Sequence, residues 1–224
     1  MKKKDLVRYT QPFSILREGI AIGGTSVALS LAIGLYFGLA YMLPFATFGI
    51  WAIYFFRDPE RIIAKDDSLF VSPADGIVSQ ICQAAPTDIE GDFSKMHRIS
   101  IFMNIFDVHV NRMPTKGTIT AIKHIPGRFI NASLDKASTL NERCIYICET
   151  DKKAPFVVTQ IAGFLARRIV PFLEKGASFK KGQRFGLIRF GSRVDLYLPL
   201  EFDILIMEGQ RTLAGETILA QAKK

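Results

Sequence analysis

The sequence predicts a mainly β fold with some helix (α+β class): an apolar helical hairpin, then a β-rich body of barrel or sandwich type. Three observations carry this. Residues 19–56 contain no charged side chain, the chain beyond Asp58-Pro59 breaks into short runs with period-two alternation, and Gly- and Pro-containing turn sequences separate those runs.

The first element is set by length. At about 1.5 Å per residue, one helix over 19–56 would be nearly twice the roughly 30 Å hydrocarbon thickness of a bilayer. Two helices, approximately 19–40 and 43–56, solve the problem, with Pro44 offering a break between them. The block is too long for a secretory signal and no small-x-small cleavage site follows it. Residues 1–18 form a basic segment, with Lys2, Lys3, Lys4, Arg8 and Arg17 against Asp5 and Glu18, and Arg57 and Arg61 follow the hairpin at once. Positive charge on both flanks puts both on the cytoplasmic side of the cell membrane, and with them the body, residues 57–224.

The net charge is +8, and the basic residues of the body are spread out rather than striped. No nucleic-acid-binding motif is present, so the charge points to an anionic membrane surface and not to nucleic acid. Cys82, Cys144 and Cys148 form no C-x-x-C pair and lack His partners at ligand spacing, so they read as buried reduced thiols and no metal site is expected.

Within the body, Ile99–Met103 and Arg193–Leu198 are the clearest strands. In the second, Val194, Leu196 and Leu198 share one face and Arg193, Asp195 and Tyr197 the other. Turns are expected at Pro73–Gly76, Pro126-Gly127, Lys181-Gly182 and Ala214-Gly215, and one helix at Phe164–Leu173.

Chemistry concentrates in four local sequences: Val71-Ser-Pro-Ala-Asp75-Gly76, Phe106-Asp-Val-His109-Val-Asn-Arg112, Asn141-Glu-Arg143 and Phe190-Gly191-Ser192-Arg-Val-Asp195. A serine hydroxyl needs a neighbouring base to act as nucleophile. His109, pointing away from Val108 and Val110 in an extended segment, is the candidate base, and Asp75 could orient its ring as in a hydrolase triad. Ser192, however, lacks the Gly-x-Ser-x-Gly elbow of the α/β-hydrolases. A second alternative, a membrane-anchored barrel-sandwich adaptor without catalysis, draws on the spaced turns Gly176…Gly182 and Leu213-Ala-Gly215, but no lysine stands at a tight hairpin tip between them.

In this order and spacing the four sequences closely resemble the phosphatidylserine decarboxylases of the short prokaryotic, self-cleaving type, from about Arg57 to the C-terminus. The resemblance implies that the Ser192 hydroxyl attacks the Gly191 carbonyl and that the resulting ester is eliminated. Residue 192 is left as a pyruvoyl group, the covalent cofactor. The chain would become a β chain, 1–191, and an α chain, 192–224, associated as a heterodimer. Phosphatidylserine from the membrane would form a Schiff base with the pyruvoyl ketone, lose CO₂ and leave as phosphatidylethanolamine. A pyruvoyl enzyme for a soluble amino acid is disfavoured by the apolar hairpin. Many longer relatives carry His-x-x-His where this chain has His109-x-x-Arg112. A guanidinium is always protonated and cannot be a base, so either His109 takes both roles here or the proton relay is arranged differently; His109 is assigned to the triad, and Arg112 could instead hold the substrate's phosphate or carboxylate. His97 and His124 read as ordinary surface or turn residues. No role is assigned to Asn141, Glu142, Arg143, Gly127, Phe129 or Asn131.

Overall fold

The computed structural model describes residues 14–89, 93, 95–128, 137–163, 168–189 and 192–223. The chain divides into two compact units, Met1–Glu60 and Arg61–Lys224.

In the first unit a short antiparallel pair, β1 (Ser14–Ile15) with β2 (Arg57–Asp58), closes the base of a helical hairpin made of α1 (Arg17–Phe37) and α2 (Leu39–Phe55). The reversal lies at Gly38, not at Pro44 as expected. Gly38 has φ +101°, open to a residue without a Cβ. Pro44 sits inside α2, where it forfeits one backbone hydrogen bond without turning the chain. Small residues let the helices approach: a Cβ on Gly23 would lie 2.3 Å from Ile53, and one on Gly19 2.4 Å from Phe56. Ser30 hides its hydroxyl by donating to the Met42 carbonyl at 2.9 Å. By length and composition α1 can cross a membrane, whereas α2 has 17 residues. Leu35, Tyr36, Leu39 and Tyr41 near the tip stand exposed, as a lipid environment would require.

The second unit is built on an eight-stranded antiparallel sheet, ordered β11 (Ser178–Phe179), β7 (Gly117–Ile125), β8 (Arg143–Thr150), β9 (Pro155–Ala162), β13 (Ser192–Leu198), β5 (Met96–Met103), β4 (Gly76–Ala84) and β15 (Arg211–Thr212). Two three-stranded sheets accompany it: β10 (Ile169–Pro171), β12 (Arg184–Ile188), β6 (Val110–Arg112), and β14 (Phe202–Ile204), β16 (Ile218–Ala222), β3 (Leu69–Val71). One short helix, α3 (Ala137–Leu140), precedes β8. The sheets are open, so among the described residues the body is sheet-layered and forms no closed barrel.

Both expected strands are present and neighbour one another, β13 pairing with β5 from Ser192↔Met103 to Leu198↔His97. Val194, Leu196 and Leu198 enter the main core with Ile99, Ile101, Phe156 and Val158. The other face of β13 is covered too. Tyr197 packs with Met96, Ile145 and Val157, and the Arg193 guanidinium grips Asp195 through Nε and Nη2 at 2.6 and 2.8 Å. Burying opposite charges in a central strand requires this two-pronged geometry.

The helix expected at Phe164–Leu173 is not formed over its described part, where Ile169–Pro171 is strand β10. Two β-branched residues favour extension, and Pro171, which has no N–H to give, is tolerated because β10 is an edge strand. Residues 164–167 lie outside the described residues. Cys144 and Cys148 are buried in the core, as expected, while Cys82 is only half-buried. Burial pushes the Cys144 thiol up to about 11 and that of Cys148 higher still, so both stay protonated and inert.

Candidate active site

Ser192 opens β13, fully buried, between Met103 of β5 and Ala162 of β9. Its hydroxyl points to the Met103 sulfur at 3.9 Å. A thioether is a weak acceptor, so the contact orients the hydroxyl without tying up its proton. Gly191, the other half of the expected cleavage site, lies outside the described residues, as does Phe190.

His109 is fully buried, one residue ahead of β6. Its Nδ1 lies 3.0 Å from the Asp107 carbonyl oxygen. A carbonyl can only accept, so the neutral ring carries its proton on Nδ1 and its lone pair on Nε2. In extended backbone His109 and Asn111 share a side. The Asn111 amide meets the same Met103 sulfur at 3.6 Å, and its oxygen accepts from Gln160 Nε2 at 2.7 Å. Gln160 in turn accepts from the Tyr146 hydroxyl at 3.2 Å. Met103 thus joins the strand bearing Ser192 to the segment bearing His109.

Asp75 lies in the turn ahead of β4, its carboxylate accepting from Arg61 Nη2 at 2.8 and 2.9 Å and from the Ala214 N–H at 2.7 Å. Burial lifts its carboxyl above the ordinary range, opposed by the Arg61 charge and the Ala214 N–H and reinforced by nearby Asp107. The turn is shaped by Gly76. Its φ is +141°, and a Cβ there would stand 2.1 Å from the Phe102 carbonyl oxygen of β5. Asp107 is buried, accepting from the Asn104 N–H at 2.9 Å and pairing with Arg211. Arg112 is buried in β6, with Nη1 on the Gly182 carbonyl at 3.1 Å. His97 and His124 sit on β5 and β7, near the Leu200 carbonyl and Glu142 respectively.

Arg61, Asp107 and Arg211 were not among the expected site residues. Asp107 stands two positions before His109 in a segment already singled out. Arg61 is distant in sequence from Asp75 and signals only flanking charge. The Asn141-Glu-Arg143 segment acquires a structural account. Asn141 Nδ2 donates to the Ala162 carbonyl at 2.7 Å and the Glu142 carbonyl accepts the Ala162 N–H at 2.9 Å, securing the residue opposite Ser192. Arg143 ties the Thr139 and Asn141 carbonyls to Asp88. Gly127 permits this packing, since a Cβ would lie 2.3 Å from the Asn141 carbonyl carbon. Phe129 and Asn131 lie outside the described residues. A cavity of about 150 Å³ lined by Asp67, Lys116 and Asp151 also involves Thr150 and Ala154, at the end of the β8–β9 pair far from Ser192, and belongs to a different part of the surface.

The profile of the phosphatidylserine decarboxylase family matches residues 48–220, across both sides of the site. The chain belongs to the phosphatidylserine decarboxylase family. It is 54% identical over 171 residues to the phosphatidylserine decarboxylase proenzyme of Rickettsia akari, covering 76% of this chain and 74% of that one. The corresponding proenzymes of Rickettsia felis and Rickettsia prowazekii are 53% and 52% identical over the same shares of each chain. This membership removes the barrel-sandwich adaptor, and the Gly182 and Gly215 turns that suggested it serve the decarboxylase fold: a Cβ on either would meet Ile63.

Proposed function

We propose that this chain is a membrane-attached phosphatidylserine decarboxylase that cleaves itself between Gly191 and Ser192 and converts phosphatidylserine to phosphatidylethanolamine and CO₂. The observation that carries the reading is the buried Ser192 hydroxyl on the same Met103 sulfur as the His109–Asn111 segment, in a chain of this family.

In self-cleavage the Ser192 oxygen attacks the Gly191 carbonyl carbon and the peptide C–N bond breaks, leaving an ester and a free amine. His109 Nε2 takes the hydroxyl proton, its ring held by the Asp107 carbonyl. Loss of the residue-192 α-proton then expels the Gly191 carboxylate from Cβ. The dehydroalanine that remains hydrolyses, releasing ammonia and leaving a pyruvoyl group on the new α chain. Only a residue with a leaving group on Cβ can follow this course, and the burial of Ser192 keeps bulk water from hydrolysing the ester.

Once formed, the pyruvoyl group supplies the electron sink that decarboxylation needs. The chain's own residues bind and orient the substrate. We assign Asp75, whose hydrogen-bond partners are Arg61 and the Ala214 N–H, to steady positive charge on the His109 ring, and Arg112 to contribute cationic potential for the substrate's phosphate or carboxylate. The β chain, 1–191, and α chain, 192–224, remain together because β13 pairs with β5 on one side and β9 on the other. The hairpin anchors the enzyme in the cell membrane with the body on the cytoplasmic face, as the flanking basic residues favour.

The test is a denaturing intact-mass spectrum beside a Ser192→Ala variant. Two chains, the smaller matching 192–224 with a pyruvoyl terminus, are expected from the wild type and one chain from the variant. A single unmodified wild-type chain would remove the electrophile and favour a Ser192–His109–Asp75 hydrolase.

A further inference from the structure

We propose that Arg61 is a positioning residue for this chemistry: with Arg211 it brackets the buried carboxylates of Asp75 and Asp107, and so keeps Asp75 in the charged form His109 requires. The inference rests on the reading above.

Each carboxylate has its own cation, Arg61 on Asp75 and Arg211 on Asp107. Arg61 Nη2 reaches both Asp75 oxygens, at 2.9 and 2.8 Å, with side-chain exposures of only 8% and 6%. Arg211 binds Asp107 from an exposed position. Burial does most to lift the Asp75 carboxyl, and the Asp107 charge adds the least of the causes. A carboxylate as buried as that of Asp75 stays ionised only with a cation close at hand. The groups facing Asp75 are Arg61, Asp107 and the Ala214 N–H.

Arg61 is itself fixed. Its Cβ lies against the Gly215 turn, and the following N–H, that of Ile62, donates to Glu216 Oε1 at 3.0 Å. The 213–217 turn thereby holds both members of the pair, giving Asp75 one N–H and Arg61 its backbone anchor. A protonated Asp75 would offer a donor and no charge, and could not stabilise an imidazolium. Arg61 therefore acts through Asp75 rather than on the reacting atoms.

The experiment follows self-cleavage of the full chain, synthesised cell-free into detergent and shifted to buffers from about pH 5 to about pH 9. The uncut fraction is read by intact mass for wild type, Arg61→Gln, Arg61→Lys and Arg211→Gln. Removing a cation raises the pKa of a neighbouring carboxyl, so the acid limb of the rate profile should move to higher pH in Arg61→Gln. A shift of about one unit corresponds to roughly tenfold slower cleavage on that limb, converging with wild type at the alkaline end. Arg61→Lys, which keeps the charge, should restore the limb. Arg211→Gln should move it the same way but less, since that side chain is exposed and screened.

An Arg61→Gln profile superimposed on wild type, or lowered equally at every pH, overturns the proposal. Should Arg61→Gln fail to fold, an unshifted Arg211→Gln limb overturns it instead. An Asp75→Asn chain in parallel separates the two levels. If it cleaves as wild type, the role given to Asp75 fails; if it stays uncut while the Arg61→Gln limb does not move, only the Arg61 proposal fails.

Discussion

Alanine at Gly76 tests whether the turn that presents Asp75 is set by backbone contact. A Cβ there would lie 2.1 Å from the Phe102 carbonyl oxygen and 2.9 Å from its carbon, both in β5 and unable to swing aside. The φ of +141° adds strain that an L side chain rarely tolerates, costing about 1–3 kcal/mol. Overpacking against fixed backbone adds about 1–3 kcal/mol more, so Gly76→Ala should cost about 2–6 kcal/mol. At roughly 2–4 °C per kcal/mol for a domain of this size, Tm should fall by about 4–24 °C. The assay is thermal unfolding in detergent on a Ser192→Ala background, so that every chain is uncut. Gly176→Ala is the control: its φ is +84° but its Cβ would enter open space, so it bears the strain without the clash. Equal Tm losses in the two variants would refute the steric argument.

The assignments at the site separate in two further variants. His109→Ala should accumulate uncut chain, whereas Arg112→Ala should cleave normally but decarboxylate poorly; intact mass followed by a phosphatidylethanolamine assay checks both, and normal processing of the His109 variant would remove it as the base. Thiol labelling of the native protein at about pH 8, located by peptide mass, should modify Cys82 well before Cys144 and Cys148, whose burial keeps them protonated; rapid labelling of Cys144 would contradict that burial.

Much of the fold was legible along the chain because its signals are local. An uncharged block of residues longer than one bilayer crossing requires a reversal, and strict alternation over 193–198 requires a strand with two distinct faces. The position of the reversal was less legible. Proline is the conspicuous breaker in sequence, yet the turn uses Gly38, whose permissive φ matters more than Pro44's missing N–H. The segment before Leu173 read as helix from composition, whereas pairing with β12 makes Ile169–Pro171 an edge strand.

The sequence by itself determined the kinds of group available: a serine with an oxygen on Cβ, a histidine able to take a proton, carboxylates, and an apolar hairpin. These are properties of residue types and local spacing. Only the tertiary structure decided their partners. It gave the His109 Nδ1 to the Asp107 carbonyl, which fixes the tautomer, and gave Asp75 to Arg61 and the Ala214 N–H. It also brought Met103 between Ser192 and Asn111, and Asn141 onto the residue opposite Ser192. Apart from the His109–Asp107 contact within one turn, those contacts join residues from 8 to 139 positions apart. They arise from strand pairing and turn packing, which no local pattern specifies.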